Sequence, residues 1–349
     1  MIFGITVTSC GENDNTEDNQ TVVIEEKYEI HTELQSKYLA GDYKLINLYA
    51  KGKEEFSKPL PITIKWNLDS NKEYNFCLSE NEDFSVYREL KTDKNEINLI
   101  NLKINTVYYW YVTYQVESGV AKTETKHFEI KTNGPRNLDI DGVTNVRDIG
   151  GYQTSDGKVT KQGVIFRSAR FNENETTDLL ITEAGIKEMV EVLKIKTELD
   201  VRQTADNENG GLVSSPLGDA VNYVSVPMVS GGNLLLLNSE IIKDVFAVFG
   251  NESNYPIVIH CSIGTDRTGA ICFLINALLG VSEETLYRDY LFSNFGNISR
   301  GRMPSTIDDY LDKVNSYEGD TLSERTENYL LSIGVKDTDI ATIKKVMID

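Results

Sequence analysis

Tyr255-Pro256-Ile257-Val258-Ile259 runs into His260-Cys261-Ser262-Ile263-Gly264-Thr265-Asp266-Arg267-Thr268-Gly269, and the apolar stretch Ala270–Leu279 follows. The first run reads as a short buried strand. The last reads as a buried helix closed by Gly280. A strand, a tight loop and a helix N-terminus form a cradle for an anion, because backbone N–H groups converge there and the helix dipole favours negative charge. The same donors lower the pKa of a cysteine at the base of the loop, so Cys261 is expected as a thiolate. Arg267 can grip two oxygens of a phosphate. Ser262, Ile263, Gly264 and Thr265 supply the loop backbone, and Gly264 lets it curl. Thr268 can offer its hydroxyl to the sulfur. His260 is expected to orient the loop through backbone bonds.

Working outward, the chain has 349 residues, 35 basic and 54 acidic side chains and a net charge of −19. About 100–200 residues per domain suggests two domains. The 40% hydrophobic and 26% charged composition is that of a soluble globular protein. Residues 1–134 carry a net −7 and residues 135–349 a net −12. This balance argues against a nucleic-acid partner, which needs a positive footprint. An anion bound in the second half must be held by a local device rather than a broad field. No apolar run reaches the roughly 20 residues a membrane-spanning helix needs. His31, His127 and His260 are far apart, and no cysteine or histidine pair has metal-ligand spacing. Neither a metal nor a cofactor is expected.

His-Cys-x5-Arg-Thr resembles the signature loop of cysteine-dependent protein tyrosine phosphatases. Asn145-Val146-Arg147-Asp148-Ile149-Gly150-Gly151 resembles the Asn-x-Arg-Asp-x-Gly-Gly opening of the atypical bacterial branch, similar to the secreted mycobacterial phosphatase B. Gly163–Ser168, a helix over Thr182–Leu193, Asp200-Val201-Arg202 and the strand ending at Pro227 continue that pattern over about 138–349. Alternating strands and helices independently suggest a mostly parallel α/β sheet with flanking helices. The resemblance implies a phosphocysteine intermediate, with Cys261 and Arg267 catalytic. That branch usually has Lys where Thr265 stands, so a positive charge beside the phosphate is missing. Met228–Ser239 contains no carboxylate, which leaves Asp266 as the expected proton donor. Its structural alternative is an ion pair that holds the loop, with Arg147, Asp148, Arg167 and Asp200 as the supporting network. Cys272 is expected in the core.

The first half reads differently. Ile62–Trp66, Tyr74–Leu78, Glu96–Leu102, Val107–Val116 and Thr123–Ile130 are short β-rich runs separated by polar turns, the pattern of an antiparallel sandwich over 40–132. Asn101–Trp110 resembles the E–F corner of a fibronectin type III domain, with a core Leu and a tyrosine that bonds back to the backbone. Trp66 stands where such domains carry a strand-B tryptophan. Cys77 packs as a small hydrophobe. The sandwich could be a spacer, a sugar- or protein-binding module, or packing support. The opening MIFGITVTSCGENDNTEDNQ resembles the end of a bacterial lipoprotein signal, with Cys10 as the lipidated residue and 1–20 as remnant and tether. This implies a cell-envelope enzyme anchored outside the cytoplasm; a cytoplasmic enzyme is the alternative.

The expected activity is hydrolysis of protein phosphotyrosine, with a phosphorylated protein or peptide as partner. The alternatives are an inositol-phosphate or phosphoinositide phosphatase and an inactive phosphate-binding module. The −12 charge opposes a polyanionic substrate. Leu234–Leu237 is a candidate apolar rim for a phosphotyrosine slot.

Overall fold

The structure is a computed structural model that describes residues 26–68, 72–172, 180–204, 208 and 210–348. Cys10 and the tether lie outside the described residues. Among the described residues no helix is long and apolar enough to cross a membrane.

The second half is built on a five-stranded sheet in the order Asn222–Ser225, Thr197–Asp200, Ile257–His260, Ile165–Ser168, Arg147–Asp148. The first four strands are parallel and the last is antiparallel. Ile257–His260 sits in the middle, with all four residues buried. Its side chains alternate between two cores, as strand geometry requires. Ile257 and Ile259 join the larger core, formed with the helices Ser239–Phe249, Asp266–Leu278 and Glu283–Phe292. Val258 and Phe166 join a smaller one with Met189 and Leu193. A sheet covered on both faces explains why its central strand reads as a continuous apolar run rather than an alternating one. The helix Asp266–Leu278 is buried from Arg267 to Leu278, and Gly280 beyond it has φ +79°. The expected helix after Thr182 forms as Glu183–Lys187 followed by a π-helical turn, Glu188–Val192. The Thr182 hydroxyl accepts from the Gly185 N–H at 3.2 Å.

The first half holds two β-sheets around one apolar cluster. One contains Tyr74–Ser79, Arg88–Thr92, Thr106–Val116, Gly119–Lys122 and Lys126–Ile130, with Lys27–Tyr28 added parallel at its edge. The other pairs Ile62–Lys65 with Glu96–Leu99. Ile62, Ile64 and Leu99 meet Phe76, Trp110 and Phe128 between them. Leu102 is in that core, and the Tyr108 hydroxyl accepts from the Lys103 N–H at 2.7 Å. Cys77 is buried within its strand.

A segment before these strands packs elsewhere. The helix Glu33–Ala40, capped by Thr32, and the 3-10 turn Tyr43–Leu48 send Tyr38 and Ile46 into the larger core of the second half, and Ala50 follows them. The apolar contacts thus assign residues 33–50 to the α/β unit, although the sequence reading started the sandwich at 40. The seam between the halves is polar and buried. Arg136 donates to the carbonyls of Asn101 and Leu102 and to Asp148 Oδ2, at 2.6, 3.1 and 2.9 Å. Gln162 makes two 2.9 Å bonds with the backbone of Ile104.

Candidate active site

Because Ile257–His260 is the central strand, the chain leaves the sheet at its middle and turns at once into the buried helix. Gly264 makes that turn possible. Its φ is +66°, and a Cβ there would lie 2.2 Å from the Ser168 carbonyl oxygen. Only glycine fits both constraints. Cys261 lies at the base of the loop with 2% of its surface exposed. Burial alone would raise its thiol, but the Arg267 guanidinium and the Thr268 donors beside the sulfur bring it below the ordinary thiol range. Cys272, inside the helix that follows, is pushed up to about 11 by burial.

Arg267 faces the mouth of the loop and is not vacant. Its Nη1 donates to Glu208 Oε2 at 2.9 Å and its Nη2 to Glu208 Oε1; Nη2 also reaches Ser262 Oγ at 3.2 Å. The Ser262 hydroxyl donates to the same Glu208 oxygen. A carboxylate therefore sits on the side-chain donors that a bound phosphate would use.

Two clamps hold the loop from behind. Arg167 donates to the carbonyl oxygens of Gly264 and Thr265 at 2.9 and 3.3 Å. Asn145 donates to the Ile263 carbonyl at 3.0 Å and to Thr265 Oγ1 at 3.2 Å. With the carbonyls engaged from behind, the loop N–H groups can turn towards an anion. Asp289 organises both clamps. It binds Arg167 Nη1 at 2.6 Å and Arg147 Nε at 2.8 Å, while Arg147 Nη1 binds Asn145 Oδ1 at 2.5 Å. Burial opposes its charge, yet the two guanidinium groups keep its carboxyl below the usual range.

A third network surrounds His260. Its Nε2 lies 2.8 Å from Glu198 Oε1, its Nδ1 3.3 Å from the Cys261 carbonyl and 3.9 Å from Asp200 Oδ1. Burial disfavours a charge on this ring, but Asp200 and Glu198 raise its pKa. Among the described residues, Glu198, Asp200 and His260 are the one trio with ligand atoms close enough to hold a metal, within 4.8 Å. Protein partners occupy them: Ser215 on Glu198, and Arg202 with Tyr223 on Asp200. The trio is a charge network that supports the loop.

A family model described as the tyrosine phosphatase family matches residues 138–349. The chain belongs to the tyrosine phosphatase family. A Cupriavidus necator protein named as a candidate tyrosine-protein phosphatase is 25% identical over 178 residues. The match covers 47% of this chain, and the chain spans 65% of that relative's length. Among solved structures, the catalytic core of the PP-IP phosphatase SIW14 from S. cerevisiae matches at 21% identity. It covers 45% of this chain and 88% of its own, with a TM-score of 0.30. P. aeruginosa TpbA matches at 15% identity, with 49% and 86% covered and a TM-score of 0.31.

Cys261, Arg267 and Thr268 meet at the loop, while other residues are placed differently from the sequence reading. Asp266 is at the helix start, but its partner is none of the four expected residues. Arg302 Nε and Nη2 each bind it at 2.7 Å, and the Tyr290 hydroxyl donates to it at 3.1 Å. Burial would raise its carboxyl; Arg302 holds it below the usual range. Asp148 does not serve the loop. It accepts from Arg136 and from the N–H groups of Gly150 and Gly163, at the seam. Thr265 is fully buried, and its hydroxyl donates to the Ile263 carbonyl at 3.2 Å, so it is loop scaffold rather than a neutral stand-in for a lysine at the mouth. The rim is half as expected: Leu236 and Leu237 are exposed, whereas Leu234 and Leu235 are core. Glu208, Asp289 and Arg302 were not singled out from the sequence. Glu208 and Arg302 reach the loop across 54 and 36 residues, Asp289 reaches it through Arg147 and Arg167, and their segments carry no motif.

Proposed function

We propose that this protein is a cysteine-dependent phosphomonoesterase that hydrolyses protein phosphotyrosine through a phosphocysteine intermediate. The observation that carries the reading is a buried cysteine with a lowered pKa, held with Arg267 at the start of a buried helix. The thiolate attacks phosphorus in line, the S–P bond forms as the ester P–O bond breaks, and water then releases phosphate. Arg267 follows the oxygens through both steps. Thr268 steadies the departing sulfur. Arg147, Arg167, Asn145 and Asp289 hold the loop open, and Asp266 fixes the loop to the Arg302 segment.

A phosphotyrosine peptide suits the mouth better than an inositol polyphosphate. Val229 is exposed, and Met228, which precedes it, places its carbonyl 3.4 Å from Arg267. The −12 charge of residues 135–349 disfavours a polyanion. The motif Asn145–Gly151 supports placement in the branch that includes the mycobacterial phosphatase B. The bond between Tyr108 and the Lys103 backbone, with Leu102 in the core, supports a fibronectin type III-like sandwich. A lipid on Cys10 would put the enzyme at the cell envelope; support for it rests on the sequence before Gly11. Turnover of p-nitrophenyl phosphate by wild type, its inhibition by vanadate and its loss in Cys261→Ser test the activity. Comparing phosphotyrosine peptides with phosphoinositides tests the substrate class, and a higher kcat/KM for the peptides is expected. Full activity in Cys261→Ser would overturn the reading.

A further inference from the structure

The site holds a carboxylate that the motif does not explain. Glu208 binds both terminal nitrogens of Arg267 and the Ser262 hydroxyl. The Gln203 N–H holds the same carboxylate at 3.2 Å, and Arg202 Nη1 holds the Glu208 carbonyl at 3.4 Å. This anchors Glu208 to the end of the strand Thr197–Asp200, at the mouth of the loop. We propose that Glu208 is the proton donor to the leaving oxygen. The proposal rests on the phosphatase reading above.

A phosphate entering the loop takes Arg267 and Ser262 for its own oxygens, and Glu208 is turned off them. It then stands beside a dianion instead of a cation, and a carboxylate next to like charge binds a proton. In the free protein Arg267 and Ser262 keep it ionised, against its partial burial. The other charged neighbours are Arg170, whose charge also acts on Glu208, and Arg202, spent on Asp200. The acid is thus generated by substrate binding. Asp266 has no such switch. Its two bonds to Arg302 are made by a residue outside the phosphate loop, so phosphate leaves them intact. The steps balance. Cys261 Sγ bonds to phosphorus, the P–O ester bond breaks, and the Glu208 proton goes to the leaving phenolate. Glu208 then takes a proton from water as that water attacks phosphorus and the S–P bond returns its electrons to the thiolate.

The test is kcat/KM across aryl phosphates whose phenols range from dinitrophenol to tyrosine in a peptide, for wild type, Glu208→Gln, Glu208→Asp and Asp266→Asn. General acid catalysis contributes about 10²–10⁴-fold. Glu208→Gln should lose about that factor on phosphotyrosine and less than about ten-fold on the dinitrophenyl ester. Glu208→Asp keeps a carboxyl and should keep the wild-type leaving-group dependence at reduced rate, which also guards against a folding defect in the amide variant. Equal losses across the series would make Glu208 a positioning residue for Arg267. A lower KM with an unchanged leaving-group dependence would make it only a competitor for the phosphate seat. Selective loss in Asp266→Asn would return the role to that residue. Any of the three overturns the proposal. Failure of the phosphatase reading itself looks different: wild type would be as inert as Cys261→Ser on the dinitrophenyl ester.

Discussion

At the residue scale the decisive contrast is between two buried cysteines, Cys261 in the loop and Cys272 in the helix that follows it. Cys261 and Cys272 are equally enclosed, yet the guanidinium of Arg267 pulls one thiol down while burial drives the other up to about 11. The lowered value means that the thiolate of Cys261 persists as pH falls through the range where an ordinary thiol is already protonated. Alkylation by iodoacetamide, followed cysteine by cysteine by mass spectrometry, should therefore modify Cys261 about ten-fold or more faster than Cys77 or Cys272 at neutral pH. Its rate should fall at a lower pH than that of an ordinary thiol. A Cys261 rate that climbs through pH 8–9 like a free thiol would show that Arg267 does not set its ionisation. The same scale shows what a sequence reveals and hides. Cys261, Arg267 and Gly264 lie within seven residues, and their spacing states their geometry. Asp289 sits in Leu286–Phe292, where an acid between aromatic residues reads as a helix surface position. Its meaning comes from Arg147 and Arg167, 142 and 122 residues away.

At the element scale the active loop depends on one strand and one helix that are both fully enclosed. Apolar runs this short and this continuous were legible, because a doubly covered parallel sheet has no polar face to display. Arg88–Thr92 and Lys27–Tyr28 were not, since both are edge strands with no fully buried residue to mark them. The join between strand and helix is the sensitive point. Gly264→Ala places a methyl 2.2 Å from the Ser168 carbonyl at φ +66°. The left-handed conformation alone costs about 1–3 kcal/mol for a residue with a side chain, and the clash adds to it. Thermal unfolding should register that loss. Activity on p-nitrophenyl phosphate should fall further than stability does, because the loop N–H groups move off the phosphate. An alanine variant with wild-type melting and turnover would mean that the loop is not built against the Ile165–Ser168 strand as described.

At the scale of the whole molecule the two halves do not behave as beads on a string. Residues 33–50 complete the core of the α/β unit, and Arg136 neutralises Asp148 inside the seam. The sequence set the sandwich at 40–132 and the phosphatase domain at 138–349. It could not show that the chain before the β-strands returns to the other half, because the apolar residues around Tyr38 and Ile46 do not say which of the two cores they join. Expression of 138–349 alone should therefore give a protein that melts well below the full chain or aggregates. A buried charge left without its partner costs about 3–5 kcal/mol, a large part of the 5–15 kcal/mol typical of a domain. Equal melting of the fragment and the full chain would contradict the packing. The central claim concerns chemistry at one sulfur, and acid-quench trapping during turnover of p-nitrophenyl phosphate tests it most directly. The account predicts a single phosphoryl group, released by iodine as an S–P bond is, on the peptide that contains Cys261, absent from Cys261→Ser; turnover with no phosphoenzyme on that peptide, or with the phosphoryl group on another residue, would contradict it.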